Sequence, residues 1–355
     1  MQRKNKKTEI KESLNKLKYW LKTFRGKLSI LCLIILSIIP LLSDSQYFLY
    51  YYLPMFYVAF LYSIFAASWD FLAGFSGQVS FGHAIFFGVA GYGCSYFVKF
   101  LGYPFWISLI IGALLSALVG FIIGIPSLRV KGPYLALVTL ALNLIILKLF
   151  TMASLKDIFF GTGGISNIPF EITDPYVLYY LFFILMVISL IVLLILGKSN
   201  FGTILKSMRD DEKGAKASGI NVIRYKVIAF TISGFFAGIA GSLYALRIGT
   251  VNPLSNFGIE LTFMAIIMPA IGGLGTITGG AFGAFFFVFV DKLTPEFAKE
   301  LANLFPAIPM IEDLALYTGI FFAVILILVI RFAKDGVLKP IIDHLKDLWD
   351  LLIGK

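Results

Sequence analysis

Charge is what this sequence has least of. Charged residues fill 14% of its 355 positions, against about 25% in an average soluble domain. Hydrophobic residues reach 59%, including 36 phenylalanines, so the chain has too little polar surface to cover itself in water. Two histidines and two cysteines give no His, Cys and acid cluster at metal-ligand spacing, and no nucleophile stands beside a base. The chain is therefore not expected to be an enzyme, and no metal or other cofactor is expected on it. Cys32 and Cys94 both lie in apolar runs without a metal-type or redox-type neighbour, which predicts two small core residues.

What is present is a series of apolar runs long enough to cross a bilayer, which takes about 20 residues per helix. The runs are continuous rather than alternating, so they predict helices and not barrel strands. Ten segments are expected, over 28–43, 54–75, 81–101, 104–125, 133–151, 176–197, 227–247, 258–272, 276–291 and 318–333. Together they make an all-α polytopic membrane domain over 28–335. The net charge of +10 sits at the ends of these runs, which points to membrane orientation rather than to nucleic acid. The basic head, the Arg129–Lys131 turn, the 198–226 loop and the Arg331–Lys334 exit are expected in the cytoplasm. The loops at 152–175 and 292–317 are expected outside, and ten crossings put both termini in the cytoplasm. Residues 258–291 hold two short pieces joined by Gly272, Gly273, Gly275, Gly279 and Gly280. They predict two short crossings, or one crossing and a re-entrant piece, in preference to one kinked helix.

The ends differ from the middle. Residues 1–27 combine ten Lys and Arg with Ile10, Leu14, Leu17, Leu21 and Phe24 at helical spacing, a basic amphipathic helix suited to a lipid surface. The basic region is too long for a cleaved signal peptide and no A-x-A-like site follows, so a retained signal anchor is expected. Residues 336–355 form a second amphipathic helix, with Leu338, Ile341, Ile342, Leu345, Trp349 and Leu352 in one stripe.

One polar stretch interrupts the apolar chain: SMRDDEKGAKASGIN at 207–221. Ser207 followed by Asp210 three residues later reads as a helix start, with Asp211 and Glu212 in the first turn and Lys213 and Lys216 after them. Gly219 is placed as the left-handed stop. This predicts a helix of about eleven residues, roughly 16 Å long, which is marginal in water unless something holds it. It is either a solvated connector or a docking element for a cytoplasmic protein.

Four stretches in order carry a family resemblance: SWDFLAGFSGQVSFGHAIFFGVAGYG at 68–93, GIPSLRVKGPYLALVTLALN at 124–143, GTGGISNI at 161–168 and MRDDEKGAKASGINVIRYKVIAFTISGFFAGIAGSLYA at 208–245. With GGLGTITGGAFGA at 272–284, the chain from about 54 to 333 resembles the LivM-type permease subunits of branched-chain amino acid ABC importers. The resemblance implies a permease paired with a second homologous permease, two ABC ATPase subunits below and an extracytoplasmic solute-binding protein above. It also implies the ten-helix, type II architecture of the vitamin B12-type importers, in a prokaryotic inner or plasma membrane. By similarity, 207–221 resembles the coupling helix that rests in a cleft of an ATPase subunit. Arg209, Asp210 and Glu212 are then expected at the rim of that contact, Ala215 and Ala217 as small residues allowing close approach, and Gly219 as the family's glycine. The family's alanine pair is here Lys213–Gly214, and the glycine falls one residue late. Gly197–Lys198–Ser199 has the ending of a phosphate-binding loop, but Val192 stands where that loop needs glycine, so the ATPase is expected on a separate polypeptide.

Polar side chains at membrane depth need a partner or a cavity. Asp70 near the end of the second segment is expected in a structural pair. Gln78, Ser80, His83, Thr139 and Asn143 are the translocation-path candidates. His83 also reads as a satisfied structural histidine, and Asn143 equally as glue between helices. Importers of urea or short-chain amides of the same wider family are the nearest alternative, followed by a secondary transporter working alone and a membrane scaffold without transport.

Overall fold

The computed structural model describes residues 23–41, 48–126 and 132–304, with single positions at 19, 45 and 130 and a few between 324 and 346. The expected helix over 1–27, the Arg129–Lys131 turn and the segment 318–333 lie largely outside the described residues. Thirteen α-helices are delimited among the described residues: α1 Phe24–Ile38, α2 Leu53–Asp70, α3 His83–Leu101, α4 Phe105–Gly124, α5 Pro133–Thr151, α6 Lys156–Phe159, α7 Pro175–Lys198, α8 Asn200–Asp210, α9 Glu212–Ala217, α10 Val222–Ile248, α11 Pro253–Phe257, α12 Ile259–Gly272 and α13 Thr278–Leu304. Among the described residues, extended pairing is confined to one bridge between Ile165 and Val251.

Among the described residues, seven helical stretches are long and apolar enough to cross a membrane: Phe48–Phe75, His83–Leu101, Phe105–Gly124, Pro133–Thr151, Pro175–Lys198, Val222–Ile248 and Pro253–Gly272. The chain is a multi-pass, all-helical membrane protein. Of these stretches the one through α2 is the most buried and α5 the least. Phe60, Phe65, Phe71, Phe86, Phe87, Tyr179, Phe182, Phe230 and Phe257 are the largest wholly buried side chains. The phenylalanine-rich composition thus serves as core filler, with rings from α2 and α7 meeting edge to face, as Phe60 and Tyr179 do at 5.1 Å. Cys94 is buried, as expected, but Cys32 is exposed on α1; the apolar run around it covers a membrane helix on all sides, so run membership did not place it in the core.

The glycine-rich junction between 258 and 291 is a helical hairpin, not a kinked helix. A side chain at Gly272 would collide with the Gly279 carbonyl and one at Gly283 with the Met268 carbonyl. Both pairs sum to the same register, so α12 and α13 run antiparallel with their backbones nearly touching. The second helix is longer than its apolar segment, running to Leu304.

The ends of the bundle follow from contacts. Arg209 at the end of α8 donates to the Gly74 carbonyl just beyond α2, so the α8–α9 loop shares an end with Phe71–Phe75. At the far end Ile165 and Val251 exchange backbone hydrogen bonds at 2.8 Å, and Tyr57 donates to the Pro175 carbonyl at 2.7 Å.

Candidate functional site

The polar stretch folds as two helices rather than one, which corrects the eleven-residue helix expected from Ser207. Apolar spacing at Ile204, Leu205 and Met208 extends the first helix, α8, back to Asn200, capped by Ser199. Ser207 lies inside it, its hydroxyl donating to the Ile204 carbonyl. Asp210 is the last residue of that helix, and Asp211 is the extended break (φ −151°, ψ 100°). The Asp211 carboxylate accepts the Lys213 N–H at 2.9 Å and so caps α9.

The α9 helix ends as the sequence predicts. Gly219 has φ +81°, its N–H donates to the Lys216 carbonyl at 3.0 Å, and the Ile220 N–H donates to the Ala215 carbonyl at 3.1 Å. This paired closure needs a left-handed residue, which glycine adopts without strain. The six-residue helix is held by a small core of Met208, Ala215 and Val222, flanked by Ile204, Ile220 and Tyr225. Ala215 therefore packs against its own chain, while Ala217 is exposed beside Lys213 and Lys216.

Glu212 ties the module to the membrane domain. Its Oε2 meets Lys226 Nζ at 2.9 Å and its Oε1 meets Lys216 Nζ at 3.1 Å. The Lys226 side chain is 4% exposed, so Glu212 supplies the counter-charge of a buried ammonium in the first turns of α10. Burial pushes the Glu212 carboxyl up, but hydrogen bonds and charge from Lys226 and Lys216 outweigh it and hold the group below the usual carboxylate value. Lys226 was not singled out from the sequence, although a lysine inside the apolar start of a long helix signals a required partner.

Arg209 joins the module to a second structure. Its Nη1 donates to the Gly74 carbonyl at 2.7 Å, its side chain packs on Gly77, and it pairs with Asp210 at 2.9 Å. Beside it, the wholly buried Asp70 accepts from three successive backbone N–H groups of the α12–α13 turn: Gly275 at 2.6 Å, Thr276 at 3.0 Å and Ile277 at 2.9 Å. The expected partner of Asp70 is thus a backbone nest. Gly74 makes the approach possible, since a side chain there would stand 2.6 Å from Gly275 N and collide with the Asp70 carboxylate. The C-terminal segment closes the same knot, with Val337 N–H donating to the Ile271 carbonyl at 2.7 Å.

The path candidates are all enclosed. Each of Gln78, Ser80, His83, Thr139 and Asn143 is at most 8% exposed. Residues 77–82 climb beside α2 as non-helical chain, held where Trp69 Nε1 donates to the Ser80 carbonyl at 2.9 Å and Phe81 N–H to Thr139 Oγ1 at 2.9 Å. Gln78 bonds the Ser76 carbonyl. The His83 ring shares a 2.9 Å hydrogen bond with Ser68. Asn143 Nδ2 donates to the Phe257 carbonyl at 2.9 Å. Within this cluster, His83 Nδ1, Asn143 Oδ1 and both amide atoms of Asn256 lack a protein partner among the described residues. Asn256 was not identified from sequence, where it reads as a loop residue between Pro253 and Gly258.

Residues 51–330 match the family model described as branched-chain amino acid transport system / permease component. The high-affinity branched-chain amino acid transport system permease protein LivM of Salmonella typhimurium is 30% identical over 61% of this chain and 57% of its own length. That of Escherichia coli is 29% identical over 67% of this chain and 62% of its own. The chain thus spans about three fifths of the length of these relatives. A solved structure, PsaBC from Streptococcus pneumoniae in complex with Fab, is 19% identical with a TM-score of 0.39, covering 82% of this chain and 94% of that one.

Proposed function

Since the chain belongs to the branched-chain amino acid transport system permease family, we propose that it is the membrane subunit of an ATP-driven importer for leucine, isoleucine or valine in a prokaryotic inner membrane. It forms half of the translocation path beside a second homologous permease, receives solute from an extracytoplasmic binding protein, and leaves ATP hydrolysis to two separate ATPase subunits. The architecture proposed is the ten-helix, type II arrangement with both termini in the cytoplasm. The α8–α9 loop is the ATPase-coupling element.

The observation that carries this reading is the partly buried Glu212–Lys226 ion pair, which ties a six-residue helix to α10. A lever of that kind moves attached spans as a body when its tip is displaced. Arg209 and Asp70 extend the same connection to the α12–α13 hairpin. The exposed face for the ATPase comprises Asp210, Lys213 and Ala217, with Ala215 acting from inside.

The test is co-purification of the chain with its ATPases, followed by leucine and urea uptake in proteoliposomes holding the full complex and its binding protein. ATP-dependent leucine uptake is expected. Uptake of urea or acetamide in place of leucine, or transport by this chain without ATPases, overturns the proposal.

A further inference from the structure

The turn between α12 and α13 is held at both of its ends by segments far from it in sequence. At its exit, the Asp70 carboxylate accepts from Gly275, Thr276 and Ile277, and Gly74 stands against Gly275. At its entry, the C-terminal segment takes hold. Val337 N–H donates to the Ile271 carbonyl at 2.7 Å, and a side chain added to Gly336 would run into the backbone of Gly272 and Gly273. Gly336 is buried with φ +81°, a conformation that glycine takes without strain. The contact is backbone on backbone, so no flexible side chain can yield there.

The entry of the turn needs such a holder. Gly272 and Gly273 have no side chains to pack, and Gly273 stands at φ 119°, ψ 111°, so this pair is a hinge unless a neighbour fixes it. Asp70 reaches only the exit. Beyond Val337 the segment is itself anchored. Ile342 is 6% exposed, whereas Lys339, Asp343 and His344 are exposed, so its apolar stripe is seated on the protein at Ile342. The α8–α9 loop meets the same turn from the α2 side. Arg209 Nη1 donates to the Gly74 carbonyl at 2.7 Å and lies 3.6 Å from where a side chain on Gly275 would stand.

We propose that Gly336 and Val337 are positioning residues for ATP-coupled transport, forming a strap across the entry of the α12–α13 turn. With the strap in place, displacement of the α8–α9 loop moves the hairpin as a body. Without it, the same displacement is absorbed by bending at Gly272 and Gly273. The strap rests on the reading of that loop as the ATPase-coupling element, and it gives the C-terminal segment a part in the same linkage.

The test reads leucine moved per ATP hydrolysed by the full complex with its binding protein in proteoliposomes. Gly336→Ala drives a methyl group into the Gly273 backbone, and a chain ending at residue 335 has no strap. Both are expected to hydrolyse ATP while moving severalfold less leucine per ATP. A complex that is merely less stable loses both rates together and keeps their ratio. Gly102→Ala is the control, since Gly102 is also left-handed (φ +65°) but has nothing within 4 Å; it is expected to keep the parent ratio. The parent ratio in either assembled strap variant overturns the strap, and so does an equal fall in Gly102→Ala. Hydrogen exchange on the parent complex decides the matter where the variants fail to assemble. The Val337 amide is expected to be protected, and exchange at the rate of a free amide overturns the strap. A parent complex that takes up no leucine with ATP overturns the importer reading, while protection of Val337 still reports on the strap contact alone.

Discussion

Asp70 and Ile277 lie 207 positions apart, and the carboxylate of one accepts the backbone N–H of the other at 2.9 Å. Ile277 has φ +48° and no exposed surface. A β-branched residue in that conformation is strained, and the Asp70 nest is what over-determines it. Replacing Asp70 by Asn removes the charge and puts an amide group against N–H donors. The expected loss is about 1–3 kcal/mol of stability, with faster amide exchange at Gly275, Thr276 and Ile277. Unchanged exchange at these three amides counts against the nest as the holder of the turn.

The Glu212–Lys226 pair predicts an asymmetric double-mutant cycle. Glu212→Gln leaves the Lys226 ammonium buried without its counter-charge and is expected to destabilise by about 3 kcal/mol. Adding Lys226→Met removes the stranded charge and restores most of the loss. Thermal unfolding of the purified chain measures both, and additive effects of the two changes contradict the pairing.

The same pair sets a pH dependence. The Glu212 carboxyl is held below its ordinary value in the folded chain. Its contribution is therefore complete above the unfolded value of about 4.3, and is lost as pH falls through the lower folded value. Coupled transport limited by this loop is expected to be flat from about pH 5 to 8 with respect to Glu212. A Glu212-dependent transition near neutrality, absent in Glu212→Gln, contradicts this.

Gly219 tests the stop of the coupling element. Nothing stands within 4 Å of a side chain added there, so Gly219→Ala meets only the backbone penalty, about 1 kcal/mol. Gly219→Pro cannot reach φ +81° and removes the N–H bonded to Lys216. Gly219→Pro and Glu212→Arg are expected to separate ATP hydrolysis from transport, whereas Gly219→Ala retains coupling. Normal transport in both of the severe variants removes the loop from the coupling role.

Much of this site was legible before any coordinates. Gly219 stops its helix because only one residue type readily takes that conformation, and Asp70 demanded a partner because an acid at that depth does. The start of α9 was misplaced because Ser207 and Asp211 can each begin a helix locally. The apolar residues at 204, 205 and 208, needed to bury α8 against its neighbours, decided between them. Lys226 was passed over because its neighbours in sequence are unremarkable and its partner, Glu212, lies 14 positions away across a helix break.

Composition and apolar periodicity alone determined that this is a helical membrane protein with one polar module between long spans, since local chain chemistry dictates where a backbone must bond to itself in lipid. Tertiary structure decided which polar groups meet: Glu212 with Lys226, Arg209 with Gly74, Asp70 with the turn at 275–277. Those pairings depend on which helix faces stand side by side, and helix propensity carries no information about neighbours distant in sequence.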